Sequence, residues 1–297
     1  MNAHGIFFTS EGGVRAGWRI LLFLALCGIF FKAFGALAAR VRFGSYALHQ
    51  LETYAFILVA IWLAHYVMLR WVDRTTWDYV GLGRENLTPR VLWIGLALGS
   101  LCILVPSGGL LLAHDLTLVT GLEGRHSWIV LAGSGMLLFL PQSLGEEMMS
   151  RGYLFAGLRD AFGRFGAPAA LAITSIGFGL LHMANPGATA QSVCIVMLAG
   201  AFLGAILLLT RSLYAAWMAH FAWNWSMAEL LHASVSGIRF PYSSYRVDDA
   251  GPTWLTGGSW GPEGGAAAAV SMVAGIALLI AWQRRAQRTT STEVGSA

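Results

Sequence analysis

Charge is scarce in this 297-residue chain. Asp, Glu, Lys and Arg together make up 11% of it, against about 25% in an ordinary soluble domain. That scarcity excludes a disordered, charge-rich chain and almost any soluble globular enzyme. Lysine is nearly missing: the 19 cationic residues are Lys32 and 18 arginines. The isoelectric point near 9.2 is basic, but no basic stripe carries interleaved aromatics, so nucleic acid is not a partner. Cysteine is rare too. Cys27, Cys102 and Cys194 all fall inside apolar runs and form no CxxC, which argues against a disulfide framework and a zinc ribbon. What is abundant is apolar surface, at 56% hydrophobic residues and a mean hydropathy of +0.62. No single soluble core could hide that much, so lipid must solvate much of the chain.

The apolar runs predict an all-α, polytopic membrane helix bundle with about eight spans. They are 18–38, 53–70, 91–113, 128–158, 167–185, 190–210, 213–233 and 264–283. A span needs roughly 20 apolar residues, so the fourth run is too long. Either Pro141 kinks it or 128–137 forms a separate entry segment. The first run reads as an uncleaved span in preference to a signal peptide, because its pre-apolar region is long for one. With the N-terminus inside, thirteen arginines fall on the inner side and five on the outer. The positive-inside rule then places both termini in the cytoplasm. Residues 1–287 read as one integral-membrane domain, with the motif-bearing core at 128–233 and a polar, disordered tail at 288–297. The inner loop 71–90 reads as interfacial. The outer loop 234–263, with Phe240, Tyr242, Tyr245, Trp254 and Trp260, reads as an interfacial aromatic belt in preference to a substrate-binding cap. Gly200 and Gly204 form a GxxxG pair that permits close helix contact.

Ionisable residues within spans are costly, and each is a functional hypothesis. Glu146, Glu147 and Arg151 lie on the fourth span, His182 on the fifth, and His220 with Asn224 on the seventh. Glu147 and Arg151 are four apart and can pair on one helix face. Glu146 is rotated by about 100° from Glu147 and is left to face a cavity, where a partly desolvated carboxyl suits acid–base work. Taken alone, the Glu147–Arg151 pair is equally well a structural ion pair, and His182 is more readily an interior hydrogen-bonded histidine. His220 and Asn224, at i and i+4, either hold an oxyanion or tie two helices together. His65 and Glu229 lack patterned companions and read as structural. Together the set supplies a base, a second polarising group and an oxyanion site, which are the parts amide hydrolysis needs.

In order, Glu146-Glu147…Arg151, Phe178…His182 and His220…Asn224 resemble the EExxxR, FxxxH and HxxxN signature of the CPBP intramembrane proteases, the CAAX protease or Abi family. The run Arg15-Ala16-Gly17-Trp18-Arg19 is similar to that of many bacterial members. The resemblance implies an endopeptidase in a bacterial cytoplasmic membrane, acting on membrane-associated or lipidated peptides. It implies that Glu146 and His182 activate water, that His220 and Asn224 stabilise the oxyanion, and that Glu147 and Arg151 position and neutralise Glu146. Members are commonly called metalloproteases. Zinc on Glu146, His182 and His220 stays open, but no HExxH is present and direct Glu/His catalysis is preferred. Two other readings stand beside this one. One is a non-catalytic membrane protein, such as a bacteriocin-immunity factor or scaffold. The other is a proton-coupled transporter. The three motifs converge only if the fourth span starts beyond its kink, placing Glu146 near mid-depth.

Overall fold

The computed structural model describes residues 7–8, 13–40, 46–124 and 126–294. Arg42 and Arg125, two of the outer arginines counted above, lie outside the described residues. The chain is helical almost throughout: α1 Ala16–Ala38, α2 Tyr46–Val67, α3 Pro89–Leu112, α4 Trp128–Arg151, α5 Tyr153–Ala161, α6 Gly166–Leu181, α7 Ala190–Thr210, α8 Leu213–Trp225 and α9 Ala266–Val294. Seven helical stretches among the described residues are long and apolar enough to cross a membrane, and the protein is an integral membrane protein. The eighth expected span, 213–233, is α8 followed by a π-helical turn, Ser226–Leu230. α9 continues through Val294 and takes in most of the stretch read as a tail; residues 295–297 lie outside the described ones.

Local chemistry sets the helix starts. Pro89 occupies the first turn of α3, where its missing N–H costs nothing, and the Thr88 hydroxyl accepts from Val91 N. Thr189 and Ser192 form a reciprocal capping box on α7, satisfying two donors that the helix itself leaves free. Glycine then sets how closely helices approach. A Cβ on Gly95 or Gly99 of α3 would lie 2.3 or 2.1 Å from the carbonyl oxygens of Ala215 or Ala219 on α8. The GxxxG pair works the same way, Gly200 against Ser175 and Gly204 against Leu171 of α6. α8 is the central helix, with ten of its thirteen residues buried. α3, α4 and α7 pack around it, and α1 and α2 pack on the outside of α4 and α5.

Two expectations are corrected. The segment 128–137 is not a separate piece: α4 runs unbroken from Trp128 through Pro141 to Arg151. The long run divides instead at Gly152, whose ψ of −118° is not helical. Glu146 lies near the end of this unbroken helix and lines a cavity with residues of α6, α7, α8 and the outer loop. The second correction concerns the outer loops. Leu116–Thr120 (β1) and Tyr245–Asp249 (β2) pair antiparallel, with Leu118 opposite Val247. This ribbon joins two loops that the hydropathy pattern treated as independent. Of the aromatic residues in the second loop, Trp254 is exposed, whereas Trp260 is 1% exposed and packs with Phe178 and Val196. Phe240 stacks edge-on against Phe139 of α4. The belt reading fails for these last two, which face inward.

Candidate active site

Four of the six motif residues line one cavity of about 310 Å³: Glu146, His182, His220 and Asn224. Three indoles hold the helices that carry them. Trp217 and Trp225 of α8 donate to Leu140 O and Ala132 O of α4, at 2.9 and 3.0 Å. Trp128 of α4 donates back to Glu229 O at 2.7 Å. These three bonds, spread along both helices, fix α4 against α8 in one register.

Behind the cavity wall, Glu147 is fully buried. Its Oε1 accepts from Arg151 Nη1 at 2.9 Å and from His220 Nδ1 at 2.9 Å. Arg151 also donates to Gly200 O at 3.1 Å and lies over the Phe178 ring, 4.3 Å from its centre. Phe178 meets the His220 ring edge-on at 5.8 Å and the His182 ring at 4.7 Å. The phenylalanine of the second motif therefore packs against a residue of every motif. Glu147 and Arg151 do pair, as their spacing predicts. Their further contact is with His220, where the resemblance had implied Glu146.

Glu146 looks the other way. Its Oε2 faces His220 Nε2 at 3.7 Å, too long for a hydrogen bond, and has no partner. Its Oε1 accepts a short bond from Gln142 Nε2, and Gln142 Oε1 accepts from Asn224 Nδ2 at 3.3 Å. Gln142 thus links the first motif to the third. It escaped the sequence reading because no charge marked it, although a glutamine one helical turn before a glutamate in an apolar helix is a usable signal. His182 follows the last turn of α6. Its Nδ1 meets Phe178 O at 2.7 Å, so Nδ1 carries the proton and Nε2 is left as an acceptor. Glu263, also missed, enters the cavity wall from the outer loop. His65 is buried outside the site: its Nδ1 meets Ile61 O, and its Nε2 accepts Tyr153 N at 3.0 Å.

The residues do not fit a bound metal. No group of three His, Cys, Asp or Glu among the described residues could hold one. His220 presents Nδ1 to Glu147, which leaves Nε2 as its one nitrogen facing Glu146 and the cavity.

Fold and site together define an integral membrane helix bundle with Glu and His side chains gathered at one cavity. Residues 127–226 match the family model described as Type II CAAX prenyl endopeptidase Rce1-like. That segment is about a third of the chain and contains α4 to α8 and all six motif residues. It is the family type that the three motifs resemble. No curated protein and no solved structure matches the chain.

Proposed function

We propose that the protein is an intramembrane endopeptidase of a bacterial cytoplasmic membrane, hydrolysing peptide bonds of membrane-associated or lipidated substrates. The observation that carries this reading is the array Glu147–His220–Glu146 at a cavity wall, with contacts of 2.9 and 3.7 Å. Glu147 accepts from Nδ1 and orients the ring, so Nε2 points at the cavity. Two bare acceptors would repel across 3.7 Å. A proton on Nε2 removes the clash and leaves the Glu147, Arg151, His220 and Glu146 set neutral overall.

In the hydrolytic step, Glu146 Oε2 takes a proton from water, with His182 Nε2 as the second acceptor. The hydroxide adds to the scissile carbonyl carbon. The Nε2–H of His220 and the Asn224 amide donate to the oxyanion. Collapse breaks the C–N bond, and the proton on Glu146 passes to the leaving amine. No step is routed through a metal. The cavity is lined by Phe139, Phe178 and Phe202 beside the polar groups, which suits an extended apolar peptide segment or a lipid-modified residue.

Glu146→Gln keeps the shape and removes the base. Cleavage of a membrane-tethered peptide in proteoliposomes should fall by about 10²–10⁴-fold, the usual worth of general-base catalysis. Thermal unfolding should stay unchanged. Undiminished cleavage would sink the mechanism.

A further inference from the structure

The outer loop reaches into the cavity. Val235 N donates to Ile238 O and Ile238 N to Val235 O, both at 2.9 Å. Ser236 and Gly237 between them have φ of 49° and 78°. Two positive φ values on a two-residue turn make a tight hairpin tip. Val235, Ser236 and Ile238 line the same cavity as Glu146 and His182.

This tip is fastened on every side. Glu263 Oε1 accepts from Ser236 N at 2.6 Å and from Ser236 Oγ at 2.7 Å. Glu263 Oε2 accepts from Trp223 Nε1 at 2.8 Å, and Trp223 lies between His220 and Asn224. Asn185, three residues after His182, donates to Ser236 O at 3.1 Å. Gly237 N donates to Trp260 O at 2.9 Å. Gly237 has no room for a side chain, since a Cβ there would lie 2.0 Å from Pro186 O. A loose surface loop would leave these groups to water. Here they are spent on fixing the tip to the second and third motifs, so it is a rigid wall and not a mobile lid.

We propose that residues 235–238 are a fixed wedge, and that Val235 and Ile238 set the size of the substrate residue accepted by the cavity. Glu263 is its positioning residue. The proposal rests on the proteolytic reading for its reaction but not for its binding geometry. The wedge lies outside the segment that matches the family model, so it is a property of this chain's outer loop.

The test uses the full-length protein in proteoliposomes and a series of membrane-tethered peptides carrying Ala or Phe at each position flanking the cleaved bond. In Val235→Ala and Ile238→Ala, kcat/KM for Phe over Ala should rise about tenfold at one position, the effect of methyl-scale changes in an apolar pocket. An unchanged ratio at every position, with activity retained, overturns the wedge. A second measurement does not need turnover. In the Glu146→Gln background, the same peptides with a photoreactive residue should crosslink to 235–238. If wild type cleaves nothing but the crosslink forms there, the proteolytic reading fails and the wedge stands as a binding wall. Absence of crosslinks at 235–238 overturns the wedge, whatever the cleavage result.

Discussion

Arg151 is a charge with almost no access to water, at 1% exposure. Its partners are Glu147, the Gly200 carbonyl and the face of Phe178. Arg151→Met leaves Glu147 buried and uncompensated, and should cost about 3–5 kcal/mol, read as a lower unfolding temperature in detergent. Arg151→Met with Glu147→Gln should recover most of that stability. It should not recover peptide cleavage, because His220 loses its charged anchor. Arg151→Lys keeps the charge but not the planar fork that bonds and stacks at once, so its cleavage rate should fall as well. The spacing Glu147-x-x-x-Arg151 made this pair legible in the sequence. The third member, His220, was not legible as their partner. It lies 73 residues further on, and only the packing of α8 on α4 brings it within reach.

At the scale of elements, the end of α4 decides where the first motif points. Gly152 breaks the helix, and a Cβ there would lie 2.4 Å from both His65 Nε2 and Met148 O. His65 accepts the Tyr153 N–H that the new helix α5 leaves without an intrahelical partner. His65→Ala should destabilise the protein by about 1–3 kcal/mol, the cost of an orphaned buried N–H. Gly152→Ala should lower cleavage, by rotating the last turn of α4 that carries Glu147 and Arg151. Unfolding curves and cleavage rates of the two variants check both outcomes. His65, read from the sequence as structural, bonds a partner on another helix, 88 residues away. The β1–β2 ribbon was invisible for a related reason. Three of the five residues of Tyr245–Asp249 are charged, and the segment pairs only because Leu116–Thr120 is brought alongside.

For the whole molecule, the parity of crossings fixes which side each end occupies. Seven long helices alone would put the termini on opposite sides. α8 with its π turn is 18 residues, about 27 Å at helical rise, near the thickness of the hydrocarbon core. Counted as a crossing, it returns the C-terminus to the side of the N-terminus. A reporter fused after Ala297 should then be active in the cytoplasm, and a cysteine at Ala250 should react with an impermeant reagent from outside. The arginine at the start of α1 does more than set topology. Arg19 meets Asp73 at 2.8 Å and also bonds Tyr79 and Tyr153. Burial, with Asp160 as acceptor, holds the Tyr79 phenol well above its ordinary range, so it stays a donor to Asp160. Arg19→Met should unfasten the inner loop, exposing 71–90 to limited proteolysis from the cytoplasmic side.

The sequence by itself determined the solvent and marked the candidate site residues. Apolar runs of span length require lipid, and the few charges left among them are too costly to persist without a task. It also determined the Glu147–Arg151 pair, because i,i+4 contacts are local. Tertiary structure alone decided that Glu147 serves His220, that Gln142 joins Glu146 to Asn224, and that the outer loop lines the cavity with Glu263 holding Ser236. Each of these joins residues from different helices or loops. Their contact depends on glycine-scale helix approach and indole clamps, which hydropathy and spacing do not encode.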